Sequence, residues 1–164
     1  MRPYHVLFLC TGNSARSILA ETLLNALGGG RFVAYSAGSH PSGQVQPLAA
    51  EIAAELGCDI SRLRSKSWDE FAVPGAPAMD FIITVCDSAA GESCPLWPGH
   101  PATAHWGVPD PVTVTGDEVA RHAAFRAALL TLRRRVELLI ALPDARLDGL
   151  TARASLQAIA EATR

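Results

Sequence analysis

The segment His5 to Cys10, HVLFLC, is a continuous apolar run of the kind that forms a strand buried on both faces. It leads through Thr11-Gly12-Asn13 into a helical pattern over Ser14 to Leu27, with Leu19, Leu23, Ala26 and Leu27 on one face. Gly28-Gly29-Gly30 closes that helix, because glycine takes the left-handed cap conformation readily. A doubly buried strand followed at once by an amphipathic helix is half of a parallel crossover unit. The same alternation continues. Arg31 to Gly38 reads as a second strand, and Pro47 opens a helix carrying Leu48, Ile52 and Leu56. Asp80 to Cys86 reads as a third strand and Ala102 to Trp106 as a fourth. Between them, Trp68 to Phe71 reads as a short helix and Ser88 to Pro101 as a loop with at most one helical turn. Glu118 to Leu142 reads as a long helix, with Phe125, Leu129, Leu132, Val136 and Leu139 at helical spacing.

The expected fold is therefore α/β: a three-layer sandwich with a four-stranded parallel sheet and helices on both faces. Residues 1–142 form this unit. Pro143-Asp144 breaks the long helix, and residues 143–164 read as a helical extension of no assigned role. At 164 residues, 49% hydrophobic and 18% charged, the chain has the composition of a folded domain. A net charge of −2 gives no reason to expect nucleic acid as a partner. No run approaches the ~18 apolar residues of a membrane span, and the five apolar-leaning residues that follow Met1 to His5 are too short for the core of a signal peptide, so none is expected. The expected compartment is the cytoplasm, where Cys10, Cys58, Cys86 and Cys94 are kept reduced.

In parallel α/β folds the ligand sits beyond the carboxyl ends of the strands. Cys10 and Cys86 both fall there. The loop Cys10-Thr11-Gly12-Asn13-Ser14-Ala15-Arg16-Ser17 joins the first strand to the first helix. Unpaired N–H groups at such a helix start, with the helix dipole, favour an oxyanion. Arg16 adds a planar fork for two oxygens of a tetrahedral anion. Gly12 and Asn13 tolerate the positive φ of a tight turn. A thiol of ordinary pKa about 8.5 is lowered by helix N-termini and cations to roughly 3.5–7.5, and the Ser17 hydroxyl favours the thiolate further. These features make Cys10 a candidate nucleophile. The alternative is a small buried core cysteine.

The loop Cys10 to Ser17 resembles the phosphate-binding loop of the low-molecular-weight protein tyrosine phosphatase family. His105-Trp106-Gly107-Val108-Pro109-Asp110-Pro111 resembles that family's Asp-Pro loop in the form used by its arsenate reductase branch, and Thr11 leans the same way. The similarity runs over about residues 4–140. It implies arsenate as substrate, with phosphate and sulfate as mimics, Thr11 to Ser17 as the oxyanion cradle, and Asp110 as a general acid or base. It also implies a relay in which Cys10 attacks arsenic, Cys86 attacks Cys10 to release arsenite, and Cys94 attacks Cys86. An external thiol reductant, thioredoxin rather than glutaredoxin, then reduces the Cys86–Cys94 disulfide. A short loop between Cys86 and Cys94 must change shape to do this.

A tyrosine phosphatase uses Cys10, Arg16 and Asp110 but has no use for Cys86 or Cys94, and a non-catalytic oxyanion sensor needs no Cys94. Asp110-Pro111 is followed by Val112-Thr113-Val114, whereas phosphatases of the family usually carry tyrosines there. Of Cys86, Cys94, His100 and His105, the two cysteines stand further apart than the usual zinc pair, so no metal site is expected. Thioredoxin-linked members of the family often bind potassium through an Asn, a Ser and an acid. Asn13 and Ser36 match, but ungapped alignment from Asp59-Ile60-Ser61 puts Lys66, the chain's only lysine, at the acid's position. An ammonium there replaces the ion's charge, and no potassium site is expected. Ala15 stands where many relatives have a second loop cysteine. Cys58 lies in no motif.

Overall fold

The protein is described by a computed structural model that covers residues 2–91, 97 and 99–163. Cys94 lies outside the described residues. Four strands, β1 (Tyr4–Cys10), β2 (Phe32–Gly38), β3 (Phe81–Thr84) and β4 (Ala102–His105), form one sheet in the order β2-β1-β3-β4. All neighbours are parallel. From β1 the chain crosses to β2 on one side and then to β3 on the other, which makes the gap beyond β1 and β3 the switch point of the sheet. The register brings the carboxyl ends level there: Cys10 pairs with Gly38, and Leu9 with Thr84.

Among the described residues the α-helices are α1 (Arg16–Leu27), α2 (Pro47–Glu55), α3 (Asp87–Ala90), α4 (Glu118–Ile140), α5 (Asp144–Leu147) and α6 (Thr151–Ala162). Alternation along β1 sends Val6, Phe8 and Cys10 to one core and Leu7 and Leu9 to the other. The first core is closed by α1, α4 and α6 through Leu19, Leu23, Leu132, Val136 and Leu156. The second is closed by a 3-10 turn, Trp68–Phe71, together with Met79 and Trp97. Helical layers thus cover both faces of the sheet, one of long helices and one of short turns.

Three local differences from the sequence reading have physical causes. The helix α1 begins at Arg16 rather than Ser14, because Ser14 and Ala15 belong to the loop that precedes it. Strand β3 stops at Thr84, so Cys86 stands two residues past its end, at the start of α3. After Pro143 the chain makes the extra turn α5 before α6. Arg31 ties this region down: its guanidinium donates to the carbonyls of Ile140 (2.9 Å) and Leu142 (2.6 Å) and to Asp144 (2.7 Å). Those are carbonyls at the end of α4, which have no partner within the helix.

Leu132 is fully buried between α4 and the sheet. Leu132→Ala is expected to lower unfolding stability by about 2–5 kcal/mol, read as an earlier midpoint in urea at unchanged slope. A midpoint equal to that of the parent chain would refute this packing.

Candidate active site

The loop between β1 and α1 is held from outside by its carbonyls. Thr11 O accepts from His40 N–H (3.0 Å), Gly12 O from Ser42 N–H (3.0 Å) and Ser65 Oγ (3.1 Å), and Ser14 O from Gln46 N–H (2.9 Å). A trans peptide points its N–H opposite to its C=O. The N–H groups of Gly12, Asn13 and Ala15 therefore face the inside of the loop, and that of Asn13 reaches Cys10 Sγ at 3.2 Å. Of the two residues expected to take positive φ, Asn13 does so (φ 45°) and Gly12 does not. Asn13 is fully buried. Its Nδ2 donates to Ser17 Oγ (2.7 Å), and its Oδ1 accepts from Lys66 N–H (2.9 Å). The side-chain amide completes a turn that only Gly, Asn or Asp adopts without much strain.

Gly38 presses up beneath this loop. A Cβ there would collide with Thr11 O and would lie 3.0 Å from both Asn13 N and Asn13 Cβ. Sequence reading missed this role; the signal was a glycine closing β2 level with Cys10.

Cys10 is 3% exposed, with Ser17 Oγ at 2.9 Å. Burial pushes its thiol up from the ordinary value, and neighbouring Cys86 adds to the rise; the Ser17 hydroxyl and the N–H groups of Ser17 and Asn13 oppose it. The lowered thiol expected from the helix start is thus outweighed by desolvation. Arg16 does not turn toward the sulfur's other neighbours but toward the loop after β4: it donates to Val108 O (3.0 Å) and approaches Asp110 Oδ2 (3.4 Å). Asp110 also accepts from Val112 N–H (3.0 Å), which fixes its carboxylate at the start of the turn Pro111–Thr113.

Cys86 is buried beside the loop, with Thr11 Oγ1 at 3.7 Å and Ala89 N–H at 3.4 Å from its sulfur. A cavity of about 500 Å³ is lined by Arg16, Cys86, Asp87, Gly107, Val108, Pro109 and Asp110. Asp87 Oδ1 accepts from His105 Nε2 (2.7 Å), whose Nδ1 meets Thr84 Oγ1 (2.7 Å). An ionised carboxylate only accepts, so Nε2 carries the proton in this clasp. Gly107 leaves room for this clasp, since a Cβ there would lie 2.8 Å from both Asp87 Oδ1 and His105 Nε2 and would displace their side-chain ends. Neither Asp87 nor Gly107 was singled out by the sequence.

Lys66 is 8% exposed, and its Nζ donates to Arg64 O (2.9 Å), Ser36 Oγ (3.4 Å) and Asn13 Oδ1 (3.5 Å). Burial pulls the ammonium down, opposed chiefly by Glu21, which is itself pushed up by burial and bonded to Ser36 Oγ (2.7 Å). The structure thus gathers Cys10, the loop Thr11 to Ser17, Cys86, Asp110 and Lys66 at one edge of the sheet. Cys58 is half-buried elsewhere, with the Thr22 hydroxyl as a polar neighbour. Among the described residues, no group of three or more His, Cys, Asp or Glu is placed to hold a metal ion, and no helix is long and apolar enough to cross a membrane.

The family model for low molecular weight phosphotyrosine protein phosphatase matches residues 5–149. The chain belongs to that family. It is 37% identical over 121 residues to an arsenate reductase of Bacillus subtilis, covering 74% of this chain and 84% of that protein. A solved arsenate reductase in its phosphate-binding state superposes with a TM-score of 0.67 at 30% identity, over 84% of this chain and 97% of its own. The thioredoxin-dependent arsenate reductase of Corynebacterium glutamicum gives a TM-score of 0.58 at 26% identity, covering 84% of this chain and 60% of that one.

The sulfur environment of this family member has a measurable consequence. The Cys10 thiol, followed by ultraviolet titration against Cys10→Ser, is expected to ionise above the ordinary value of about 8.5. Ser17→Ala removes the main opposing bond and moves the midpoint further up, slowing attack at neutral pH roughly tenfold. Because ionising this buried thiol is harder in the folded chain, stability falls as pH rises from the ordinary thiol range through the folded value. A Ser17→Ala midpoint that stays or falls would refute the assignment.

Proposed function

We propose that this protein reduces arsenate to arsenite with Cys10 as nucleophile, Cys86 and Cys94 as a thiol relay, and thioredoxin as the reductant. The observation that carries the reading is Cys86, a second buried thiol beside the oxyanion loop and on the wall of the Arg16–Asp110 cavity. Phosphomonoester hydrolysis needs one thiol, one arginine and one acid. It has no use for Cys86, and the described cavity lining carries no aromatic side chain to grip a phenyl ester. The arsenate reductases among the relatives point the same way.

The inward N–H groups of Gly12, Asn13 and Ala15 and the fork of Arg16 hold the arsenate oxygens, with Thr11, Ser14 and Ser17 completing the loop. Cys10 Sγ forms a bond to arsenic as one As–O bond breaks. The oxygen leaves as water, taking the thiol proton with it, and Asp110 at the cavity wall handles that transfer. Cys86 Sγ then attacks Cys10 Sγ. The S–S bond forms, the S–As bond breaks, and its electron pair stays on arsenic, which leaves as arsenite. The Cys86 proton goes to the departing oxyanion. Cys94 attacks Cys86 in turn, freeing Cys10, and the dithiol of thioredoxin supplies the two electrons that restore both thiols.

In this reading Lys66 takes the position of a potassium ion. Its ammonium approaches the Asn13 and Ser36 oxygens, so a second cation there would meet a like charge with no added ligand.

Arsenate-dependent NADPH oxidation, coupled through thioredoxin and its reductase, tests these points together. The parent chain is expected to turn over with thioredoxin, to slow sharply with glutaredoxin, and to run equally in sodium and potassium salts. Cys94→Ser is expected to stop after the first turnover. Sustained thioredoxin-driven turnover by Cys94→Ser would remove Cys94 from the mechanism, and a strong potassium requirement would overturn the role given to Lys66.

A further inference from the structure

The helix α6 lies beyond residue 149, where the family match ends. It is nonetheless part of the main core: Ala152, Leu156, Ile159 and Ala160 are buried in the same cluster as Phe8 and Leu132. Its polar contacts converge on one stretch of chain. Trp106, fully buried, donates from its indole N–H to Leu156 O (2.9 Å). Gln157 Oε1 accepts from His105 N–H (3.4 Å). Arg135, on α4 and only 5% exposed, donates through Nε to Thr163 Oγ1 (2.9 Å) and through NH1 to Gly107 O (3.1 Å). Thr163 Oγ1 passes its own proton to Ile159 O (2.8 Å), so its lone pairs are turned to the guanidinium. Residues 105, 106 and 107 are thus each held by α6 or by the arginine that its end fixes.

The next residues lead to the proposed acid, Asp110. Val108 is pinned by its N–H to Val85 O (3.0 Å), and its carbonyl receives Arg16 (3.0 Å). Asp110 faces the same guanidinium. A buried guanidinium with two fixed acceptors is stiff, and a peptide carbonyl held by it moves little. Any shift at Gly107 passes through Val108 to both Arg16 and Asp110. We infer that Arg135, locked by Thr163 at the end of α6, is a positioning residue that sets the place of the Arg16–Asp110 pair in the reaction. The C-terminal extension is then a brace for the acid loop. This rests on the proposed roles of Arg16 and Asp110, and the test separates the two.

The test is a double-mutant cycle on the full-length chain, using Arg135→Met, Asp110→Asn and the pair. Arsenate turnover with thioredoxin gives kcat and KM. Protection of Cys10 from iodoacetamide by inorganic phosphate reports on Arg16 without turnover. Arg135→Met is expected to lower kcat at least roughly tenfold with Asp110 present and less than about twofold in Asp110→Asn, and to weaken phosphate protection. Arg135→Lys recovers part of the loss. Equal loss in both backgrounds means a merely structural role and overturns the inference, as does a lowered melting point with unchanged kcat. If Arg135→Met does not fold, Thr163→Val carries the same cycle, with a smaller expected loss and the same overturning result. If the parent chain does not turn over arsenate, the proposed function fails, and phosphate protection unchanged by Arg135→Met would separately refute the brace.

Discussion

The carbonyls of Thr11, Gly12 and Ser14 point away from the centre of their loop, into the N–H groups of His40, Ser42 and Gln46. Everything at the site follows from that arrangement. Planar peptides turn the opposing N–H groups inward, so the loop becomes a set of donors around the Cys10 sulfur. The segment after β2 must then run across the outside of the loop, and Gly38 must have no side chain for the two to approach. Asn13 must take a left-handed backbone and be buried, and its amide links Ser17 on one side to Lys66 on the other. The fold supplies the place, since β1 and β3 end level at the switch point of the sheet.

Two opposed effects meet at Cys10. Burial raises the thiol, and a ring of donors lowers it. A buried thiol is shielded from oxidation by solvent species, and the donors around it favour the thiolate, which is the nucleophilic form. Cys86 adds a second thiol inside the same shell, and Asp87 and His105 clasp the backbone that carries it to the end of β4. Arg16 and Asp110 face each other at the cavity wall, so a guanidinium and a carboxylate are set side by side by neighbouring elements.

Much of this was readable from local pattern. The apolar run Val6 to Cys10, a helix period beginning within a few residues of it and a glycine stop place Cys10 at a strand end with no tertiary knowledge. The long helix from Glu118 was visible for the same reason: its periodicity is local. What was not readable depends on residues far apart in sequence. The Lys66 backbone meets Asn13 across 53 positions, and Arg135 meets Gly107 across 28. The C-terminal extension was readable as helical, but not that its partner would be Trp106 and the acid loop. The burial that opposes ionisation of Cys10 was not legible, because desolvation is a property of the whole core, whereas the helix start and Ser17 are local.

The central claim is that arsenic is reduced by an electron pair delivered through Cys10 and Cys86. The most direct measurement mixes Cys94→Ser with arsenate in the absence of any reductant, then counts arsenite and maps disulfides by mass spectrometry after acid quench. The account predicts a single equivalent of arsenite per chain and a Cys10–Cys86 disulfide formed at the same rate. Arsenite released while both thiols remain free, or a disulfide that bypasses Cys86, would contradict it.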